Sequence, residues 1–320
     1  MRITVTGAHG FIGSNMVAFL KKQGHSVRGV DIATRTERMI LYKQADEDIL
    51  SDLRNEQAVY EALKGADAVI HLASDMGGVG YFTAHNYQPF LNNMQMDINV
   101  LRVCEELKIK RLFYSSSACS YPVHMQMTEG EPIMLREDML FPANADLMYG
   151  WEKLMMLMLC KESPIDARVG IFHTIYGPYQ EVEGERMKFP TAIATKAIAA
   201  QLEQRKSVEI WGNGEQIRTF LYIDDALEKI YRVLTADSYS GAVNIGSDEL
   251  VTVGDVATTC MDIVGIQNGT LTYNLEKPSG VLARASDNTQ FNTEYGEVPQ
   301  TSMREGFTRL IQWIYEQKRS

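Results

Sequence analysis

Short runs of apolar, β-branched residues alternate with longer stretches of helical periodicity along the first half of the chain. Short β-branched runs predict strands, and apolar residues that recur every three or four positions predict helices. The predicted strands are Ile3–Thr6, Ser26–Asp31, Ala68–Leu72 and Arg111–Ser115, and the predicted helices are Gly13–Gln23, Gln57–Leu63 and Asn92–Leu107. Because strands separated by helices of this length are joined by right-handed crossovers, we expect a doubly wound parallel sheet.

The pattern becomes less regular beyond Arg168. Shorter strands are predicted in GIFHTIYGP, VEIWGNG and VNIGS, and Thr219–Ile223 leads into a helix. Further helices are predicted at Phe189–Ala200, which is rich in alanine, and at Arg304–Lys318, which is amphipathic. The sequence therefore predicts one domain made mainly of residues 1–167 and a smaller lobe made mainly of residues 168–320, with chain crossings between them.

Composition and charge narrow the class of protein. The 320 residues are 45% hydrophobic and carry a formal net charge of −10, which argues against general nucleic-acid binding but allows a local cation cluster for a diphosphate. The cysteines lie far apart without CxxC pairing, so we expect neither a disulfide framework nor a metal site. There is no leader-like segment and no apolar run long enough to cross a bilayer, which predicts a cytoplasmic protein without a membrane partner.

A glycine-rich turn, TGAHGFIG, follows the first predicted strand and opens a helix. Glycines let the backbone turn tightly and approach a pyrophosphate at the positive end of the helix dipole. Asp31 ends the next strand, where a carboxylate accepts the adenosine ribose hydroxyls and repels a 2′-phosphate. The turn therefore predicts an NAD site, although Arg35 and Arg38 nearby leave some use of NADP open. The candidate cofactor residues are Gly7, Gly10, Phe11, Ile12, Gly13 and Asp31.

Two later segments extend this candidate cofactor site. Asp52 and Leu53 follow a further strand-like region, where a carboxylate can meet the adenine amino group. Leu72 and Ala73 end a strand in small residues, so that the chain can pass close beside the cofactor. We interpret His71 as a buried core histidine with satisfied hydrogen bonds.

Tyr149 and Lys153 lie one helical turn apart and share a face. A lysine ammonium lowers the pKa of a phenol and holds the nicotinamide ribose, and the tyrosinate can then remove a hydroxyl proton as hydride leaves. Ser117 ends a run of serines after a strand and can orient the reacting alcohol. Cys119 follows in SSSACSYP and is either a base for a C–H bond beside a ketone or an inert buried thiol.

The order of glycine turn, strand-end serine and Tyr-x-x-x-Lys resembles the extended short-chain dehydrogenase/reductases along essentially the whole chain. Further shared features are YGP at Tyr176–Pro178, the WGNGEQIRTFLYIDD segment and VNIGS. The resemblance implies a Rossmann-type α/β fold, in which a doubly wound parallel sheet binds NAD and a smaller C-terminal α/β lobe binds a nucleotide-sugar. It also implies a homodimer formed through two helices per subunit. We interpret the methionines of MYGWEKLMMLMLC as helix-packing or interface residues.

Within this class, the sequence resembles the GDP-mannose 3,5-epimerases through ASDMGGVGY, SSACSYP, RVGIFHTIYGP, GERMKFPTA and SGVLARASDN. The resemblance implies that NAD transiently oxidises C4 of a GDP-sugar with the help of Ser117, Tyr149 and Lys153. Cys119 and Lys188 would then exchange protons at C3 and C5 as an acid–base pair. The implied substrate residues are Gly77, Gly78, Ser117, Thr174, Lys188, Lys196, Gln216, Arg218 and Arg284. The family has asparagine in place of Thr174 and arginine in place of Leu282, so we expect diphosphate and base recognition to differ.

Other functions remain open at this point. A UDP-sugar 4-epimerase or a sugar-acid decarboxylase uses the same redox core without a Cys/Lys pair. An NAD-sensing or scaffold protein could keep the fold alone, although a pure binding module has no physical need for Ser117, Tyr149 and Lys153 together.

Overall fold

The computed structural model describes residues 1–34 and 38–319 of the chain. The strands are β1 (Arg2–Thr6), β2 (Ser26–Asp31), β3 (Glu47–Leu50), β4 (Ala68–His71), β5 (Arg111–Ser117), β6 (Met134–Leu135), β7 (Asp166–Phe172), β8 (Thr174–Tyr176), β9 (Ser207–Trp211), β10 (Ile217–Tyr222), β11 (Val243–Ile245), β12 (Leu250–Thr252), β13 (Thr270–Asn274) and β14 (Ala283–Ser286). The helices are α1 (Phe11–Lys22), α2 (Met39–Tyr42), α3 (Glu56–Leu63), α4 (Val79–Ala84), α5 (Tyr87–Glu106), α6 (Val123–Gln126), α7 (Leu147–Glu162), α8 (Phe189–Leu202), α9 (Ile223–Thr235), α10 (Val253–Ile263), α11 (Thr289–Tyr295) and α12 (Met303–Arg319).

The larger sheet has seven strands in the order β11-β7-β5-β4-β1-β2-β3. Its strands pair in parallel, so that Ile3 at the centre lies opposite Val27 on one side and Ala68 on the other. The strand order reverses between β1 and β4, and in doubly wound sheets the ligand crevice lies outside the carboxyl ends of the strands at such a reversal. The predicted Rossmann-type α/β fold is confirmed.

A second sheet runs β12-β10-β14-β6, with β8 also paired to β10, and β9 pairs with β13 separately. The chain crosses between the two sheets in both directions. Met134 of β6, from the first half of the chain, lies opposite Ala285 in the second sheet. Val243 of β11, from the second half, lies opposite Gly170 at the edge of the larger sheet.

The predicted elements of the first half agree with the observed ones to within a few residues. β2 spans the predicted range, and α1 begins at Phe11 rather than Gly13. β5 continues to Ser117 rather than ending at Ser115, which brings the candidate serine to the end of the strand. α4, α10 and strands β12, β13 and β14 have no counterpart in the predictions. α4 and the three strands are short and leave little periodicity to detect, whereas the 11 residues of α10 were missed despite their length.

Three further findings concern the described part of the chain. No helix there is long and apolar enough to cross a membrane. No group of His, Cys, Asp and Glu side chains in residues 1–34 and 38–319 is arranged to hold a metal ion. The cysteines Cys104, Cys119, Cys160 and Cys260 are all free thiols.

Candidate active site

The glycines of the turn between β1 and α1 let the backbone fold tightly against the end of β4. Gly7 has a φ of 69°, in the left-handed region that favours glycine. A Cβ at Gly7 would lie 2.7 Å from the backbone nitrogen of Ala73, and one at Gly13 would overlap the carbonyl of Gly7. Because side chains are excluded from these positions, the three backbone segments pack closely.

The N-terminus of α1 opens onto the same turn. Gly10 is the N-cap, Phe11 and Ile12 follow as the first helical residues, and no side chain among the described residues caps this helix end. Uncapped N–H groups at a helix N-terminus are donors for an anion. The geometry of the turn therefore fits a pyrophosphate.

Asp31 ends β2 beside this turn. Its carboxylate accepts a hydrogen bond from the backbone N–H of His9 at 2.9 Å, which holds it near the expected adenosine ribose. Arg38 is buried and donates from Nε to the carbonyl of Tyr179 at 2.6 Å and from Nη1 to the carbonyl of His9 at 3.4 Å. A guanidinium engaged with the backbone in this way is poorly placed for a 2′-phosphate, which favours NAD. Arg35 lies outside the described residues.

The two later cofactor segments flank the turn. After β3, the Asp52 carboxylate pairs with the exposed Arg54 at 2.7 Å, and Leu53 is buried. The backbone N–H groups of Leu72 and Ala73 donate to the threonine hydroxyl that ends β1, at 3.2 and 3.3 Å. These bonds fix the strand-end backbone beside the glycine turn.

Tyr149 is buried on α7, and its ring stacks on Phe82 with centroids 4.6 Å apart. Lys153 Nζ lies 5.8 Å from the Tyr149 ring centroid. Burial raises the pKa of Tyr149, while the charge of Lys153 and a hydrogen bond with Ser117 act in the opposite direction. The three candidate redox residues therefore lie together, and Lys153 and Ser117 counteract the effect of burial on the phenol.

Lys153 lies in a buried polar network that was not among the predictions. Its Nζ is 2.8 Å from Glu152 Oε1, 3.1 Å from the Tyr114 hydroxyl and 3.7 Å from Asp97 Oδ2. Burial opposes the ammonium, but the carboxylates of Asp97 and Glu152 outweigh it and raise the pKa of Lys153. His71 bonds Asp97 at 2.9 Å through one ring nitrogen and the Thr6 hydroxyl at 2.6 Å through the other, which confirms it as a satisfied core histidine.

A signal for this network was present in the sequence. Asp97 lies on the same face of α5 as Val100, Leu101 and Cys104, which are all buried. A lone carboxylate within an apolar stripe requires a buried partner, because an unpaired charge is too costly in the core.

Cys119 lies just beyond β5 and contacts a guanidinium. Arg284 donates from Nη1 to Cys119 Sγ at 3.0 Å, and its Nη2 pairs with Asp146 at 2.7 Å. Lys188 is the half-buried N-cap residue of α8. Burial lowers the pKa of Lys188, and the nearby Cys119 and Glu181 only partly offset this. Cys119 therefore packs against the cluster that contains Tyr149, and Lys188, whose pKa is lowered by burial, lies near Cys119.

Arg218 adds a second guanidinium to this region. It donates to backbone carbonyls, including that of Val281 at 2.8 Å. Burial and the neighbouring charge of Arg284 lower the pKa of Arg218 to about 9. Gln216 is buried against Gly212, and its Oε1 has no hydrogen-bond partner among the described residues. Two close guanidiniums are stabilised by an anion between them.

The candidate sugar-facing glycines lie where α4 begins. A Cβ at Gly77 would lie 2.5 Å from the ring of Tyr81, and one at Gly78 would lie 2.8 Å from the carbonyl oxygen of Met187. The loop therefore packs tightly against the segment that leads into Lys188.

The remaining candidates lie at different depths. Thr174 begins β8 and is half-buried. Lys196 lies farther out, donating to the carbonyl of Glu209 at 2.9 Å, with Nζ 6.0 Å from the ring centroid of Trp211. Lys277 lies over the same ring at 5.7 Å. Trp211 was not a sequence candidate, and its partly exposed ring is evident only from the structure.

The glycine turn, the strand-end carboxylate and the Ser/Tyr/Lys set on this fold define an NAD-dependent enzyme of the extended short-chain dehydrogenase/reductase class. The model of the NAD dependent epimerase/dehydratase family matches residues 3–246, and the chain belongs to this family.

Comparison with known proteins narrows the class further. The chain is 36% identical over 322 residues to GDP-mannose 3,5-epimerase 1 of Oryza sativa subsp. japonica, covering 99% of the chain and 82% of that protein. It is 35% identical over 321 residues to GDP-mannose 3,5-epimerase of Arabidopsis thaliana, covering 99% and 83%. The structure of UDP-glucuronic acid 4-epimerase from Bacillus cereus, in complex with UDP-glucuronic acid and NAD, superposes with a TM-score of 0.83 at 25% identity, covering 99% of this chain and 100% of that one. The chain is accordingly an NAD-dependent nucleotide-sugar epimerase.

Proposed function

We propose that the protein epimerises C3 and C5 of a GDP-hexose, most simply GDP-mannose, with no net redox change. The observation that carries this proposal is that Cys119 packs against the cluster of Tyr81, Phe82 and Tyr149 and lies close enough to Lys188 to influence its pKa. A 4-epimerase only moves a hydride and has no need for such a pair. The relatives named above act on GDP-mannose by their names, which supports the same substrate.

The redox step uses the residues of α7 and β5. The glycine turn and Asp31 would hold NAD, which would supply reversible hydride transfer at C4 of the sugar. Tyr149 takes the proton of the C4 hydroxyl, and Ser117 orients that hydroxyl through a hydrogen bond. The ammonium of Lys153 favours the ionised phenol, which opposes the raised pKa that burial gives to Tyr149.

The proton exchange uses residues from both lobes. A ketone at C4 acidifies the C–H bonds at C3 and C5, so that a positioned base can remove either proton. Cys119, held against Arg284, acts as the base. Lys188 delivers a proton to the opposite face of the ring, and its lowered pKa makes this delivery easier near neutral pH.

The nucleotide occupies the cationic side of the pocket. Arg218 binds the diphosphate, because burial beside another cation leaves its guanidinium in need of an anion. Trp211, flanked by Lys196 and Lys277, offers a flat surface for the base. Leu282 supplies no charge here, so the diphosphate depends more heavily on Arg218.

The protein functions as a cytoplasmic homodimer. α7 exposes Trp151, Met155, Met158 and Leu159, and the neighbouring α5 exposes Tyr87. A contiguous apolar face of this kind is suited to a second copy of the chain. Four free thiols are in keeping with a reducing compartment. Sedimentation of the wild type as a dimer, and of Met155→Glu as a monomer, is the expected result.

Proton NMR in deuterium oxide tests the proposed reaction. The enzyme is incubated with GDP-mannose and then with a panel of other sugar nucleotides. Loss of the C3 and C5 proton signals, abolished in Cys119→Ala, is expected with GDP-mannose. Exchange only with another sugar would keep the chemistry and change the substrate. Turnover without any carbon-bound exchange would contradict the roles of Cys119 and Lys188 and indicate a 4-epimerase.

A further inference from the structure

One side chain, that of Arg186, links the segment before Lys188 to residues 75–81. Arg186 donates from Nη1 to Asp75 Oδ1 at 2.7 Å and to the carbonyl of Met76 at 2.9 Å. Its Nη2 donates to the Tyr81 hydroxyl at 2.7 Å, and its guanidinium lies 4.2 Å from the centroid of that ring. One half-buried arginine therefore makes contacts with a carboxylate, a carbonyl, a hydroxyl and an aromatic face.

The acceptor side of this contact is itself held rigidly. Asn92 Nδ2 donates to Asp75 Oδ2 at 2.9 Å, and the Tyr81 hydroxyl donates to Oδ1 at 2.9 Å. The backbone N–H of Asp75 donates to Asn93 Oδ1 at 2.6 Å. Burial opposes ionisation, but hydrogen bonds from Asn92, Arg186 and Tyr81 outweigh it and lower the pKa of Asp75. The arginine therefore meets a fixed carboxylate.

The two segments also touch through their backbones. A Cβ at Gly78 would lie 2.8 Å from the carbonyl oxygen of Met187, so no side chain fits between them. Glu183, Gly184 and Glu185, just before the arginine, are exposed. Without the arginine contact, an exposed loop would lead directly into Lys188.

We infer that Arg186, through Asp75 and Tyr81, is a positioning residue that sets where Lys188 meets the sugar ring. This inference rests on the proposed function, in which Lys188 delivers a proton. A general acid works only within hydrogen-bond reach of its target, and a misplacement of about 1 Å can cost roughly 100-fold in rate. The hydride step lies on α7 and β5 and does not depend on the position of Lys188.

The test separates the two steps in the full-length enzyme with bound NAD. We expect Arg186→Gln to lower C3/C5 proton exchange by roughly 30-fold or more and to leave NADH formation on substrate addition within about threefold. The loss appears in kcat more than in KM, and Arg186→Lys restores part of it. Arg205→Gln removes an exposed arginine paired with Glu203 at 2.6 Å and serves as the matched control with wild-type behaviour.

A second measurement needs no substrate. Backbone amide hydrogen exchange of residues 183–188 should speed up in Arg186→Gln and stay unchanged in Arg205→Gln. An equal fall in C3/C5 proton exchange and in hydride transfer would overturn the inference. It would also be overturned if Arg186→Gln changed neither the C3/C5 proton exchange nor the amide exchange of residues 183–188. If the wild type exchanged no carbon-bound proton with any sugar nucleotide while the amides still responded, the proposed function would fail and the structural contact alone would stand.

Discussion

The cofactor side of this active site and the proposed proton-transfer side are built from different parts of the polypeptide. The cofactor side is mostly backbone, with Gly7 packed against Ala73 at the centre of the parallel sheet. The proton-transfer side is mostly side chains, with Cys119, Arg284 and Asp146 brought together from distant parts of the chain. A backbone-built site is sensitive to shape, whereas a side-chain-built site is sensitive to charge and to loop position.

The largest effect is expected on the proton-transfer side. Cys119→Ala removes the base, so that C3/C5 exchange should fall about 10³-fold while NAD binding is retained. NMR in deuterium oxide measures the exchange, and NADH absorbance on substrate addition follows the redox step. Cys260→Ala, a buried thiol of the smaller lobe, is the control and should lose stability without losing exchange. Parallel loss of NAD binding in Cys119→Ala would remove the distinction between the two sides.

On the cofactor side, we expect a steric substitution to cause the loss of function. Gly7→Val places a branched side chain at a positive φ against the backbone of Ala73, with strain of about 1–3 kcal/mol. NAD affinity is expected to fall roughly 10- to 100-fold, with hydride transfer and proton exchange lost together. Calorimetric titration with NAD measures the loss. Gly80→Ala, whose added Cβ meets only the Trp211 ring at 3.6 Å, should bind NAD normally.

A smaller effect distinguishes the two sides by pH. Burial lowers the pKa of Lys188 from its ordinary value of 10.5, and a general acid is lost when it deprotonates. The alkaline limb of C3/C5 exchange should therefore lie below pH 10.5, while hydride transfer does not show this limb. Lys188→Arg keeps the charge and should move the limb out of the accessible range at a lower rate. A limb shared by both steps would assign it to another group.

The smallest expected effect concerns stability on the cofactor side. Burial raises the pKa of Glu152 to about 7 from 4.5, with Lys153 opposing and Asp97 reinforcing the shift. The folded state then binds the proton more tightly than the unfolded state, so stability falls as the pH rises from about 4.5 to about 7. Glu152→Gln should lack this fall, which amounts to about 2 kcal/mol between pH 5 and pH 7.5, when urea unfolding is measured at both pH values. An identical pH dependence in the two proteins would exclude Glu152 as the titrating group.

The difference between the two sides also explains what the sequence could predict. β1, the glycine turn, α1 and Asp31 are contiguous or at fixed spacing, so local pattern was enough to find them. Tyr149 and Lys153 share one helical turn and were found in the same way. The Rossmann-type fold followed from the alternation of strands and helices.

Contacts over long sequence separations were not accessible to local pattern. The bond from Arg284 to Cys119 spans more than half of the chain, and the Arg186 contacts with Asp75 and Tyr81 depend on how the smaller lobe packs. Short elements such as α4 and β14 carry these residues without clear periodicity. The resemblance to a family indicated Cys119 and Lys188, but it did not indicate which side chains position them.

The strand crossings between the two sheets have a consequence for how such enzymes diverge. β11 completes the edge of the larger sheet beside β7, while β6 completes the second sheet beside β14. A fragment ending at residue 167 would cut β7 near its start and lose β11, leaving an unpaired strand edge open to aggregation. Neither half of the chain can therefore be exchanged between relatives as an independent unit. We therefore expect changes in substrate preference to arise by point substitutions rather than by exchange of a fragment.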